Sequence, residues 1–207
     1  MRTRIKICGF TSVDAAVYAA QQGVDAIGLV FYPPSPRHVE IAQASLIARA
    51  VPAFVSSVAL FVDADVATVA KVIEQVRPGL LQFHGNESPV YCRQFNLPYI
   101  KAVRVKQGLD LVQYALQFHD AQGILLDAYV AGEAGGTGHG FDWNLIPANL
   151  PLPLILSGGL DANNVGAAIR RTHPWAVDVS SGVEASKGIK DAAKVAQFIH
   201  EVNNAYR

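Results

Sequence analysis

Two cysteines, Cys8 and Cys92, are all that 207 residues contain, too few for a disulfide framework and in keeping with a reducing compartment. A surplus of either charge is also missing. Seventeen basic side chains balance 17 acidic ones, so no net field draws the chain to nucleic acid or to an anionic membrane, and any anionic ligand must be gripped locally. The longest apolar runs, residues 26–31 and 152–156, fall far short of the roughly 20 residues that cross a bilayer. The start carries Arg2, Arg4 and Lys6 but continues as Ile7-Cys8-Gly9-Phe10-Thr11, not the apolar core of a secretory leader, so a cytoplasmic location is expected. Neither His-Glu-x-x-His nor paired-cysteine spacing occurs among the six histidines and two cysteines, and no metal is expected. With no linker or low-complexity segment, residues 1–207 read as one domain, and a balanced surface suits a monomer or a homodimer.

What is present is a recurring pattern. Short apolar, β-branched runs at 5–7, 26–31, 55–62, 80–83, 99–103, 123–126, 152–156 and 176–179 give eight candidate strands. Helical spacing lies between most of them, clearest in Val66, Val69, Ile73 and Val76 and in Val195, Phe198, Ile199 and Val202. Thr11-Ser12-Val13-Asp14 resembles a capping box for a helix that Gly23 closes, and Asp65 stands ahead of the third helical pattern. Alternation of strand and helix implies an α/β fold with a parallel sheet, and eight strands suggest closure into a (β/α)8 TIM barrel; an open doubly wound sheet is the rival that periodicity leaves standing.

In such a barrel the chemistry gathers at the carboxyl ends of the strands. The residues there are Cys8, Arg37, Asp63, His84, Arg104, Asp127, Ser157-Gly158-Gly159 and Ser180-Ser181-Gly182. The last two glycine loops, each ahead of an expected helix start, suggest a phosphate grip formed by backbone groups of Gly158, Gly159, Ser181 and Gly182; tight turns are the plainer alternative. The segment Gly135-Gly136-Thr137-Gly138-His139-Gly140 reads equally as a cover for a ligand or as a surface loop. Arg37, in a loop stiffened by prolines, is either a fork for a carboxylate or a solvated side chain. Cys8 is either a base or a small buried hydrophobe. As a base it needs electropositive surroundings, expected from arginine and helix dipoles, whereas Asp127 as an acid needs desolvation. His84 is aimed at the barrel mouth or serves the turn, and Cys92 reads as packing.

Read together, Lys6-Ile7-Cys8-Gly9, Gly28-Leu29-Val30-Phe31-Tyr32 leading to Ser35-Pro36-Arg37, Gln82-Phe83-His84-Gly85, Asp127, Gly135-Gly136-Thr137-Gly138 leading to Phe141-Asp142-Trp143, Ser157-Gly158-Gly159-Leu160 and Asp178-Val179-Ser180-Ser181-Gly182-Val183-Glu184 resemble the phosphoribosylanthranilate isomerase family along nearly the whole chain. The resemblance departs at two places, where the family usually has leucine for Phe83 and proline for Lys187. It implies an aldose–ketose isomerase of tryptophan biosynthesis that uses no cofactor, with a phosphosugar–anthranilate as its small-molecule partner. The family's catalytic pair falls on Cys8 as base and Asp127 as acid. Arg37 is expected on the anthranilate carboxylate, with Gln82, His84 and Asp178 lining the middle. Rival readings are another phosphosugar barrel, such as the aminoaldose isomerase of histidine biosynthesis or indole-glycerol-phosphate synthase, and a barrel that binds a phosphorylated ligand without turnover.

Overall fold

The computed structural model describes residues 2–128 and 141–206. Eight parallel strands close on themselves: β1 (Arg4–Cys8), β2 (Ala26–Val30), β3 (Ser56–Phe61), β4 (Leu80–Phe83), β5 (Tyr99–Val105), β6 (Ile124–Ala128), β7 (Leu154–Leu156) and β8 (Ala176–Val179), the last pairing with the first. Closure rules out the open sheet. The decisive register runs Arg4 to Ala176 and Lys6 to Asp178 on one side of β1, and Cys8 to Gly28 on the other.

Seven α-helices are seen among the described residues: α1 (Val13–Gln21), α2 (Ile41–Ala50), α3 (Val66–Val76), α4 (Pro89–Arg93), α5 (Leu111–Gln117), α6 (Val165–Thr172) and α7 (Ala192–Asn204). Between β6 and β7 the described residues hold one 3-10 turn, Trp143–Leu145. The glycine-rich segment 135–140 lies outside the described residues. Caps follow local chemistry, since the Ser12 side chain accepts from the Ala15 N–H and Asp65 from that of Thr68, each satisfying a donor the first turn leaves open. Asp14 lies inside the first turn of α1, so Ser12 is the cap and no full capping box forms. Gly23, with φ +98°, follows the end of that helix as expected.

Strand alternation divides each strand between two environments. Ile5, Ile7, Ile27, Leu29, Ala59, Phe61, Leu81 and Phe83 join the large core that also takes in the buried faces of the helices. Phe83 is fully buried and sits 5.7–6.1 Å, centroid to centroid, from Phe61, Tyr91, Phe95 and Tyr99. The family's leucine is thus replaced by the hub of an aromatic cluster, on the opposite face of β4 from Gln82. The other faces of the strands carry smaller clusters, one of Ile100, Ala102, Leu125, Ile155 and Ala176 and one of Cys8, Val30 and Leu60.

One element was not apparent from periodicity. After a 3-10 turn at Ser181–Val183, β9 (Glu184–Ser186) and β10 (Ile189–Lys190) form a small antiparallel hairpin. Gly188 turns it with φ +84°, and a Cβ there would lie 2.6 Å from the carbonyl oxygen of Pro36. The hairpin therefore rests on the loop that carries Arg37.

Candidate active site

A cavity of about 340 Å³ opens where the strands end, and its walls include Cys8, Arg37, Gln82, His84, Asp127 and Asp178. Six of the ten residues singled out from sequence thus share one space. Ser157 and Ser180 line the β7–β8 side; Gly158, Gly159, Ser181 and Gly182 adjoin them without lining the cavity themselves.

Cys8 closes β1 and is buried. The neighbouring position on β2 is Gly28, where a Cβ would stand 2.6 Å from the Cys8 Sγ, so only glycine leaves room for the thiol. Burial pushes the Cys8 thiol above its usual range, with Asp178 adding to the effect and Lys6 and Lys190 opposing it. Lys6 lies two residues earlier on the same face of β1, with its Nζ 2.9 Å from Asp178 Oδ1. Burial alone would depress that ammonium, but Asp178 and Cys8 hold it above the ordinary lysine value.

Across the cavity, Asp127 is buried near the end of β6. Its Oδ1 accepts from the Ala128 N–H at 2.9 Å, and its Oδ2 lies 3.2 Å from His84 Nε2. The Gln82 amide nitrogen lies 3.1 Å from His84 Nδ1. An amide can only donate there, so Nδ1 accepts and Nε2 carries its proton toward Asp127. Gln82 Oε1 is buried with no partner among the described residues, leaving an acceptor open to a ligand hydroxyl. Behind this wall, the fully buried Lys101 donates to the Gly85 carbonyl at 2.7 Å and meets Glu87 at 3.1 Å, while Glu87 accepts from the Gly85 and Asp63 N–H groups. That network fixes the turn from which His84 projects.

Arg37 is not the loosely solvated arginine that its loop allowed. Its Nε and Nη2 donate to the two oxygens of Glu184, both at 2.8 Å, and Lys190 donates to the same carboxylate at 2.8 Å. Burial would raise the Glu184 carboxyl, but Arg37 and Lys190 outweigh it and hold it below the ordinary range. Arg37 is thereby locked in place with its Nη1 edge left for a ligand. Gly9 lies beneath it, where a Cβ would come within 2.6 Å of the Arg37 Cδ.

The two glycine loops meet each other. Gly158 has φ +84°, and a Cβ there would lie 2.6 Å from the Ala128 nitrogen; a Cβ at Gly182 would collide with the Leu160 carbonyl oxygen. Neither loop runs straight into an α-helix as the sequence suggested. Helix α6 begins only at Val165, and β8 leads into the 3-10 turn Ser181–Val183. Backbone N–H groups and that short turn, not a long helix dipole, are what this side offers an anion. Among the described residues no cluster of three or more metal-binding side chains occurs.

Lys6, Glu184 and Lys190 went unassigned in the sequence. Strand alternation places Lys6 on the face of Cys8 and was the one available signal; the partners of the other two are set by the fold. Lys187 also lines the cavity, so that departure from the family pattern bears on the site and not on loop shape alone.

A model of the family described as N-(5'phosphoribosyl)anthranilate (PRA) isomerase matches residues 5–201. The chain belongs to the phosphoribosylanthranilate isomerase family. A relative named N-(5'-phosphoribosyl)anthranilate isomerase, from Nitrosospira multiformis, is 57% identical over 98% of this chain and 97% of its own length. Phosphoribosyl anthranilate isomerase from Thermotoga maritima superposes with a TM-score of 0.90 at 38% identity, covering 98% of this chain and 99% of its own. A further isomerase structure, solved with reduced 1-(o-carboxyphenylamino)-1-deoxyribulose 5-phosphate, gives a TM-score of 0.87 at 37% identity over 98% and 99% of the two chains. The family's Cys-Gly pair at the first strand and its Ser-Gly-Gly and Ser-Ser-Gly loops at the last two are the segments that border this cavity. No helix among the described residues is long and apolar enough to cross a membrane.

Proposed function

We infer that this protein converts N-(5-phosphoribosyl)anthranilate to 1-(2-carboxyphenylamino)-1-deoxyribulose 5-phosphate, the isomerase step of tryptophan biosynthesis. It does so in the cytoplasm, as one domain over residues 1–207. The observation that carries the reading is a thiol on β1 and a carboxyl on β6 facing one cavity, between a locked arginine and the two glycine loops.

The reaction needs a furanose ring opened and a carbonyl moved from C1 to C2. Asp127 gives a proton to the ring oxygen as the ring C–O bond breaks and the anthranilate nitrogen lone pair forms the Schiff base. Cys8, as thiolate, then removes the C2 proton, and the electron pair of that C–H bond neutralises the iminium to give the enolamine, which tautomerises to the aminoketone. Each positioned proton transfer contributes typically about 10²- to 10⁴-fold. The His84 proton directed at Asp127 holds the carboxyl in place, and the open Gln82 Oε1 suits a sugar hydroxyl. Arg37 Nη1 binds the anthranilate carboxylate, while Gly158, Gly159, Ser181 and Gly182 bind the phosphate through their N–H groups. Fixing both ends holds the sugar carbons between acid and base. The protons move within one molecule, so the chemistry calls for no cofactor.

The test is turnover of freshly generated phosphoribosylanthranilate by purified protein with chelator present, followed by substrate fluorescence. Wild type is expected to turn over, and Cys8→Ala or Asp127→Asn to abolish turnover while ligand binding persists. Binding without turnover in well-folded wild type would instead mean a non-catalytic barrel.

A further inference from the structure

A buried thiol makes a poor base unless a positive charge supports its ionised form. The charged groups around Cys8 can be taken element by element. On β2 the facing position is Gly28, which contributes no side chain. Arg37, beyond β2, is held by Glu184. From the hairpin comes Lys190, whose charge is matched by the same Glu184 at 2.8 Å. Asp127 of β6 and His84 at the end of β4 pair with each other. There remain Lys6, on the thiol's own strand and face, and Asp178, directly across the β1–β8 pairing.

We propose that Lys6 is a positioning residue for the Cys8 base: its ammonium, tethered by Asp178, is the counter-charge that lets the thiolate exist in this buried place. The inference rests on the functional reading given above. Lys6 stays protonated throughout. Cys8 reaches the thiolate by releasing its proton to water, later accepts the C2 proton, and the ammonium supports the negative sulfur in between. Asp178 has a double role, since it orients Lys6 and also tempers it, its own charge opposing the thiolate.

A purely structural ion pair between the first and last strands would give both partners the same effect when removed. The proposal gives them opposite effects. The pH dependence of Cys8 alkylation by iodoacetamide, read on the Cys8 peptide by mass spectrometry to separate it from Cys92, reports the thiol midpoint without any substrate. Lys6→Met is expected to move that midpoint up by about one unit or more, and Asp178→Asn to move it down. Midpoints that stay put, or that move in the same direction, overturn the proposal. If Lys6→Met fails to fold, Asp178→Asn decides alone, because an unmoved or raised midpoint there is equally fatal. Inactivity of wild type toward phosphoribosylanthranilate would overturn the functional reading and leave the alkylation result standing.

Discussion

Cys8 needs an empty space on the neighbouring strand, and Gly28 provides it. A methyl group at 28 would meet the sulfur at 2.6 Å and the Cys8 Cα at 2.9 Å, contacts that force either the thiol or β1 to move. Overpacking of this kind costs about 1–3 kcal/mol. Gly28→Ala is therefore expected to lower kcat by about tenfold or more, since a misplaced base forfeits much of its contribution, with a smaller fall in Tm. Steady-state turnover beside a thermal melt checks it, and an unchanged kcat would show that the thiol tolerates displacement. At this scale the sequence was informative wherever position alone implies chemistry. Cys8, His84 and Asp127 were found because each stands at the end of a strand. The electrostatic partners were not, because Lys6 meets Asp178 across 172 positions and Arg37 meets Glu184 across 147, separations that no local pattern encodes. Arginine was expected to favour the thiolate, yet Arg37 is committed elsewhere and the lysines stand in its place.

Among the elements, the β9–β10 hairpin matters most for binding, because its Glu184 holds Arg37. The folded Glu184 carboxyl lies below its ordinary value of 4.5. A carboxyl depressed by folding contributes stability that is present above the unfolded value and is lost as pH falls through the folded one. Acidification through and below about pH 4.5 is thus expected to loosen the Arg37 clamp and raise KM. Glu184→Gln should raise KM at neutral pH and flatten that acid dependence; a KM equal to wild type across the range would mean Arg37 holds its place unaided. The eight strands were legible to within a residue or two because β-branched runs between turn residues leave few alternatives. The hairpin was not, since strands of three and two residues carry no periodicity. The helices expected directly after β7 and β8 were misplaced for a related reason: glycines announce a turn, but not how far beyond it a helix begins.

For the whole molecule, periodicity could not separate an open sheet from a closed one; only the pairing of β8 with β1 does so. Closure surrounds several charged groups with apolar neighbours, and Lys101 with Glu87 is the most deeply buried pair, both side chains being within 2% of complete burial. Removing one member of such a pair costs about 3–5 kcal/mol because the other is left uncompensated. Lys101→Met is expected to lower the urea midpoint accordingly, and a loss below about 1 kcal/mol would show Glu87 protonating or finding water instead.

The pairing of β1 with β8 also sets an order of events in time. During synthesis the amino-terminal strand is finished long before its partner exists, and at about 5–20 residues per second the separation of Lys6 from Asp178 corresponds to roughly 10 to 30 seconds. Throughout that interval Lys6 has no carboxylate to receive it, and the environment that defines Cys8 does not yet exist. Completion of the ring and completion of the base are then a single event, so a nascent chain stays chemically inert at this cysteine until its last strand docks.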